Sequence, residues 1–288
     1  MTNNYQVDEL YSRLDKQYIL LDKDLIHCAR NINLIPSIEN RSGGKASYAE
    51  WAYIIGIFQT LIYLHSDQKE NISVLDVGCG SGLLGIACQP FLGRTGRYVG
   101  LDVNQAEIAF CREHYPAPTF EFVHFEAHHS IYAPFQKAVR PPWSFTSQSF
   151  DLLLSLSLWT HLNEQDAIFY IKEVSRVLKP GAKAILTFYI LDETYTHHIA
   201  KHSGGLSHFH NTDFDRWVFD RPAYGSQAWF CPKWATIPES AIAITRDGLD
   251  HLVMNASLEC LVHYVGSWKE VPGIFFQDVL VLSKIADL

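Results

Sequence analysis

Between residues 72 and 191 short apolar runs alternate with amphipathic stretches of helical period. Strands are expected over 72–77, 98–103, 120–125, 150–157 and 182–191, and helices over 81–92, 104–114 and 163–178. Strands separated by single helices do not pair as hairpins. Each crosses over its helix to a parallel neighbour, and the helices then cover both faces of the sheet. The run 150–157, FDLLLSLS, is apolar nearly throughout, as a strand buried on both faces must be.

The flanks read differently. Residues 6–30 carry apolar positions at helical spacing and predict one or two amphipathic helices. Residues 31–46, with Gly43-Gly44, predict a loop, and Ser47-x-x-Glu50 is a capping-box signature that opens a helix over 48–64. Beyond 191 the alternation stops. Residues 192–240 are rich in His, Trp, Phe, Gly and Pro without a clean period, and read as an insertion capping the sheet's edge. A helix is expected over 245–256, then an antiparallel pair over 258–265 and 275–283. The expected organisation is an N-terminal helical lid over 1–70 and a main domain over 71–288, with its cap insertion at about 192–240.

Composition narrows the partners. Lys+Arg is 23 and Asp+Glu 31, a net charge of −8, which is poorly suited to neutralising nucleic-acid phosphates. No apolar stretch reaches the ~18–20 residues of a membrane span. The N-terminus lacks the basic and apolar regions of a secretory signal, and the six cysteines form no Cys-x-x-Cys pair. A reduced, cytoplasmic protein without membrane or nucleic-acid partners is the expectation. The sequence leaves the oligomeric state open.

The first strand runs into Asp76-Val-Gly78-Cys79-Gly80-Ser81-Gly82 and then a helix. Alternate glycines allow a tight turn and close approach of a ligand to the backbone, and the helix start supplies unpaired N–H groups. Gly80-Ser-Gly82-Leu-Leu-Gly85 also fits the G-x-G-x-x-G dinucleotide frame. Asp76, two residues before Gly78, argues against that frame, since a carboxylate there suits an amine-bearing cation better than a pyrophosphate. Asp102, ending the second strand, is placed to accept ribose hydroxyls, a role that NAD and S-adenosylmethionine sites share.

Three segments together resemble class I S-adenosylmethionine-dependent methyltransferases, in particular bacterial small-molecule, sugar and natural-product O-methyltransferases. They are the D-x-G-x-G-x-G string, the fourth-strand segment from Phe150 to Leu162, and the helix–turn–strand segment around Lys179-Pro180-Gly181. His263 to Trp268 and Phe276-Gln277-Asp278 resemble the tail of such enzymes more weakly. The resemblance implies a Rossmann-like, seven-stranded, mainly parallel α/β sheet with an antiparallel last strand, and S-adenosyl-L-methionine as cofactor. By motif, Asp76 helps hold the methionine amino group, and Gly78, Cys79, Gly80 and Gly82 form the turn along the methionine and ribose. Asp102 takes the ribose hydroxyls and Val103 packs on the adenine. Glu126 and Ala127 follow the third strand, where the family usually has an Asp; Glu keeps the charge on a longer arm. Ser155 offers backbone contacts to the methionine portion.

Methyl transfer to an alcohol or phenol needs an aligned acceptor and benefits from a base, a task suited to His. Of the 14 histidines, His161 lies just past the fourth strand's carboxyl end, where ligands of open α/β sheets bind. It is the expected base, with Asp192 and Glu193 as residues that orient it or the acceptor. His128-His129 are weaker candidates. His197-His198, His202 and His208 to His210 crowd one segment with Asp213 and Asp215, but no metal-binding frame accompanies them, and no metal is expected. Tyr48, Trp51, Trp159, His197 and Trp229 are expected to line an acceptor site. The function implied is O-methylation of a small, partly apolar secondary metabolite or sugar-bearing molecule. N- or C-methylation, or a non-catalytic partner protein that binds S-adenosylmethionine, are the alternatives.

Overall fold

The computed structural model describes residues 34–41, 47–68, 70–136, 139–199, 205–210 and 212–285. The helices expected over 6–30 and the histidine at 202 lie outside these residues, so the lid is represented only by its C-terminal part. Helix α1 (Tyr48–His65) begins at Ser47, whose hydroxyl accepts the amide of Glu50 at 3.1 Å as the capping box requires. It buries Trp51, Ile54, Ile55, Phe58, Leu61 and Ile62, one stripe at three- and four-residue steps.

The alternation then unfolds as expected: β1 (Ser73–Val77), α2 (Leu83–Leu92), β2 (Arg97–Asp102), α3 (Gln105–His114) and β3 (Phe120–His124), then β4 (Phe150–Ser155), α4 (Glu164–Val177) and β5 (Leu178–Phe188). Short strands β6 (Ile190–Leu191), β7 (Arg221–Pro222), β8 (Trp229–Cys231) and β9 (Ala243–Thr245) follow, with α5 (Glu193–His198) after β6 and α6 (Arg246–Met254) after β9. Strands β10 (Leu258–Tyr264) and β11 (Asp278–Lys284) close the series. Seven strands form one sheet in the order β10-β11-β5-β4-β1-β2-β3. Pairs β1–β2, β2–β3 and β4–β5 are parallel, and β11 runs antiparallel to both β5 and β10. This is the mainly parallel α/β sheet with an antiparallel strand that the sequence led us to expect. The chain divides into two compact units, up to His124 and from Phe125 onward.

Two expectations are corrected within the second unit. Lys179-Pro180-Gly181 is not a turn that precedes a strand. Strand β5 begins at Leu178, paired with Phe150, and the register jumps to Leu152 opposite Lys183. The motif is an irregularity inside the strand, where Gly181 adopts φ of 74° and Lys179 Nζ meets Asp151 at 2.6 Å. The segment after 191 is not without regular structure. Strands β6, β9, β8 and β7 build a second, four-stranded sheet. Two- and three-residue strands are too short to show a period of two.

The aromatics of that segment mostly make core. Tyr189 packs against Trp217, Phe219 and Trp268 at centroid distances of 5.3, 5.2 and 5.0 Å. Phe219 and Trp268 are buried, and Trp217 and Phe276 pack on the same cluster. Trp229, expected at the acceptor, is 5% exposed in β8, and Trp51 is 1% exposed on the inner face of α1. Burying such rings beneath a small sheet supplies apolar area that its short strands alone cannot. Trp51 and Trp229 are thus both buried side chains within their own elements.

Candidate functional site

In the first unit the glycine-rich turn links β1 to α2. Gly78, Gly80 and Gly82 have φ of 75°, 51° and 88°, all in the left-handed region that side chains disfavour. That is why these positions are glycine. The amides of Gly78 and Cys79 both donate to the carbonyl of Leu101, at 2.8 and 3.2 Å. Asp102 completes the tie: Oδ2 accepts the Gly80 amide at 2.8 Å, and Oδ1 accepts the Asn104 amide at 2.8 Å. Its carboxylate thus braces the turn. Each oxygen has a second lone pair, so bracing is compatible with accepting a ligand hydroxyl.

Asp76 is 1% exposed. Its Oδ2 accepts the Tyr98 hydroxyl at 2.5 Å, whereas its buried Oδ1 has no hydrogen-bond partner. Burial pushes the carboxyl up to about 7; the Tyr98 hydrogen bond opposes the rise and the nearby Asp102 charge adds to it. A buried carboxylate oxygen without a donor is costly, and a ligand ammonium is the group that would relieve it. Cys79 is buried and its thiol is pushed far up by burial and by Asp102 and Asp76, so it stays protonated and is no nucleophile. Tyr98 and Tyr115, the latter's hydroxyl bonded to the carbonyls of Ser81 and Gly82 at 2.9 and 3.0 Å, were not anticipated; both lie far along the chain from the turn they support. Val103 follows β2 and its carbonyl meets His124 Nε2 at 3.1 Å.

In the second unit Glu126 is exposed and Ala127 buried at the end of β3, and Ser155 is buried at the end of β4. Past β4, Ser157 turns the chain with φ of 64°, its amide held by Thr187 Oγ1 at 2.7 Å. A single 3₁₀ turn, Trp159–His161, follows. His161 Nδ1 lies 2.7 Å from the carbonyl oxygen of Glu239. A carbonyl only accepts, so Nδ1 carries a proton. Glu239 is 2% exposed, and its carboxylate accepts the Tyr224 hydroxyl at 2.8 and 3.0 Å and Asn163 Nδ2 at 3.3 Å. Glu239 was missed: nothing in Pro238-Glu239-Ser240 signals a contact with a residue 78 positions earlier.

His129 has a different task. Its Nδ1 accepts the amides of Ile131 and Tyr132, both at 3.2 Å, so its Nε2–H donates to the carbonyl of His161 at 2.9 Å. Both ring nitrogens are committed to backbone, and burial holds its pKa below the usual range. It is a neutral structural brace and not a base.

Asp192 is engaged with an amide and a cation. It caps α5 through the Tyr195 amide at 3.0 Å, and its Oδ2 lies 2.7 Å from Lys269 Nζ. Lys269 is fully buried, and its ammonium also meets Asp278 Oδ1 at 2.8 Å. Asp278, equally buried, further accepts His263 Nε2, the Gly266 amide, the Trp268 indole N–H and the Ile190 amide. Burial would raise its pKa, but the His263 hydrogen bond and the Lys269 charge hold it below the usual value. Asp192, His263 and Asp278 converge as metal ligands would, yet the cation at their centre is the ammonium of Lys269. Tyr48 is half-buried beneath the Arg41 guanidinium, and His197 is exposed on α5. Trp159 is 3% exposed and stacks on Phe188, and its Nε1 is buried without a hydrogen-bond partner.

Residues 74–181 match the model of a methyltransferase domain family. A fatty-acid O-methyltransferase of Mycolicibacterium smegmatis is 33% identical over 121 residues, 41% of this chain and 37% of that protein. A ubiquinone biosynthesis O-methyltransferase of Pelagibacter ubique is 30% identical over 110 residues, 38% of this chain and 39% of that one. The matched stretch thus spans less than two fifths of either relative's length. Among solved structures, a protein from Pyrococcus horikoshii OT3 superposes with a TM-score of 0.53 at 18% identity, covering 93% of this chain and 98% of that one. That likeness establishes the fold. Among the described residues no helix is long and apolar enough to cross a membrane.

Proposed function

Because residues 74–181 match the model of a methyltransferase domain family, we propose that the protein binds S-adenosyl-L-methionine and methylates an oxygen of a small, partly apolar acceptor. The observation that carries the cofactor is Asp76: a buried carboxylate with one oxygen lacking a donor, at the strand end that leads into three left-handed glycines. The residues fit the group. Asp76 suits its ammonium, Asp102 its ribose hydroxyls, and the Gly78–Gly82 backbone lets it approach closely. When bound, it supplies a methyl group on a positively charged sulfur, ready for displacement.

The chain's own contribution is to bind, orient and remove a proton. His161 is the proposed base: the Glu239 carbonyl fixes the tautomer whose Nε2 can take a proton from a hydroxyl. Asp192 holds Lys269 and caps α5, so its proposed part is to support the fold beside the site. Acceptor chemistry is supported by the two relatives named above, both named O-methyltransferases, one of fatty acids and one of ubiquinone biosynthesis.

Calorimetric titration with S-adenosylmethionine tests the cofactor. Binding by the wild type, weakened at least about tenfold by Asp102→Ala, is expected; no binding by the wild type at millimolar ligand overturns the reading. With an alcohol or phenol acceptor found by screening, His161→Ala is expected to lower kcat by roughly 10²–10⁴. Unchanged kcat removes His161 as base and favours an acceptor that arrives without a proton to lose.

A further inference from the structure

His161 lies against a residue whose buried carboxylate has no cation of its own. Glu239 sits in the 3₁₀ turn Pro238–Ser240, which is tied to the turn Trp159–His161 and to the residues that follow it. His161 Nδ1–H donates to the Glu239 carbonyl at 2.7 Å, and the Ile242 amide donates to the Thr160 carbonyl at 2.7 Å. Asn163 Nδ2 donates to Glu239 Oε1 at 3.3 Å. One residue thus offers the imidazole a hydrogen-bond acceptor through its backbone and a neighbouring charge through its side chain.

Glu239 is 2% exposed, and its carboxylate accepts the Tyr224 hydroxyl at 2.8 and 3.0 Å besides Asn163. Both donors are neutral, and among the described residues no Lys or Arg reaches this carboxylate. Buried carboxylates are ordinarily paired, because desolvation without a partner charge is costly. Tyr224 shows that the arrangement is held against a local cost. Its φ is 52°, in the left-handed region that a residue with a Cβ disfavours, and its ring is 68% exposed. Backbone strain persists where the surrounding structure over-determines it, and here the side chain it presents is tied to Glu239.

The absent cation is the one that catalysis makes. When His161 acts as base, the acceptor O–H bond breaks and its proton forms an N–H bond on Nε2. The acceptor oxygen takes the methyl group, leaving the S–C electron pair on sulfur, and the imidazole becomes cationic. A buried negative charge nearby favours the cationic ring over the neutral one. We propose that Glu239 is a positioning residue for His161: its carbonyl orients the ring, and its carboxylate stabilises the imidazolium formed on proton transfer. This role rests on the reading of His161 as base. Other titratable groups around the turn do not supply the charge. His129 is neutral and bonded to backbone, the Tyr132 ring meets His161 edge-on at 5.7 Å, and Asp166 is already paired with Arg140 at 2.5 Å.

Titration of the full chain by NMR, with labelled histidine and the His161 signal assigned through His161→Gln, tests it without cofactor or acceptor. Glu239→Gln keeps the backbone carbonyl and removes the charge. It is expected to lower the His161 pKa by about 1, a tenfold loss of proton affinity. Glu239→Asp keeps the charge and is expected to recover about half of that drop or more. Should Glu239→Gln not fold, Glu239→Met gives the neutral comparison, with the same drop expected; it removes a buried charge and leaves the exposed Tyr224 free to turn its hydroxyl to water. With an acceptor found by screening, Glu239→Gln is expected to move the acid limb of the pH–rate profile to lower pH and to lower the plateau kcat about three- to tenfold. A His161 pKa that stays within about 0.3 of wild type in a folded neutral variant overturns the proposal. So does a drop that Glu239→Asp fails to reverse, which would make Glu239 a structural tie only, and so does an acid limb that stays in place. An unshifted pKa in a chain that binds S-adenosylmethionine and methylates overturns the role of Glu239 alone. A wild type without cofactor binding overturns the functional reading, and the role of Glu239 with it.

Discussion

At the scale of single residues, Asp76 links binding to pH. Its carboxyl moves from the ordinary 3.8 to about 7 in the folded chain. Between those values the folded chain keeps a proton that the unfolded chain has released. This group's contribution therefore makes stability fall as pH rises from about 4 to about 7, by on the order of a few kcal/mol, and level off above. Thermal unfolding of the unliganded protein across that window is expected to show this slope, and Asp76→Asn is expected to remove it. An unchanged slope in Asp76→Asn would show that Asp76 is already ionised. An ammonium beside Asp76 favours the ionised form, so S-adenosylmethionine binding below pH 7 is expected to release a proton, readable by calorimetry in buffers of different ionisation heat. Asp76 was legible in the sequence from its place before three glycines. The division of labour between His129 and His161 was not. Both follow strand ends, and what separates brace from candidate base is which backbone groups meet each ring, through contacts 32 and 78 residues away in sequence.

At the scale of elements, the sequence located turns whose geometry is set by glycine and lost those set by register. Gly82 shows why the first kind is readable. Its φ is 88°, and an added Cβ would lie 2.6 Å from the Tyr115 ring. Gly82→Ala is expected to cost about 2 kcal/mol or more in urea unfolding, from backbone strain and displacement of a buried ring. Gly181 has φ of 74° but open space around it, so Gly181→Ala should cost only the strain, about 1–2 kcal/mol. Equal losses at the two positions would show that the Tyr115 ring yields freely. The Lys179-Pro180-Gly181 segment carries the same residue-level signal as a turn. Only its pairing with Phe150 and Leu152 shows that the strand starts before it and resumes after it. Strands β6 to β9 were illegible for a related reason. Elements of two or three residues are selected by their partners and by the aromatic cluster on which they lie.

At the scale of the whole molecule, long-range order in the second unit depends on one buried carboxylate. Asp278 gathers donors from Ile190, His263, Gly266, Trp268 and Lys269, and Lys269 extends the network to Asp192. Lys269→Met removes the cation and leaves Asp278 charged and buried. It is expected to destabilise the protein by about 3–5 kcal/mol, as a shift in the urea midpoint without a change in slope. A loss below about 1 kcal/mol would mean that the neutral donors alone hold Asp278. Its lowered pKa gives the opposite pH sign to Asp76: stabilisation is present above the ordinary carboxylate pKa and is lost as pH falls through the lowered value. The same residue opens β11, which hydrogen-bonds to β5 on one side and β10 on the other. Ile190 and Asp278 are 88 residues apart in sequence. As the chain emerges from the ribosome, β5 is therefore complete long before the strand that covers its edge. Until β11 arrives, that edge lacks its partner strand and is a template for a neighbouring nascent chain, so slowed translation between β5 and β11 is expected to lower the yield of folded protein.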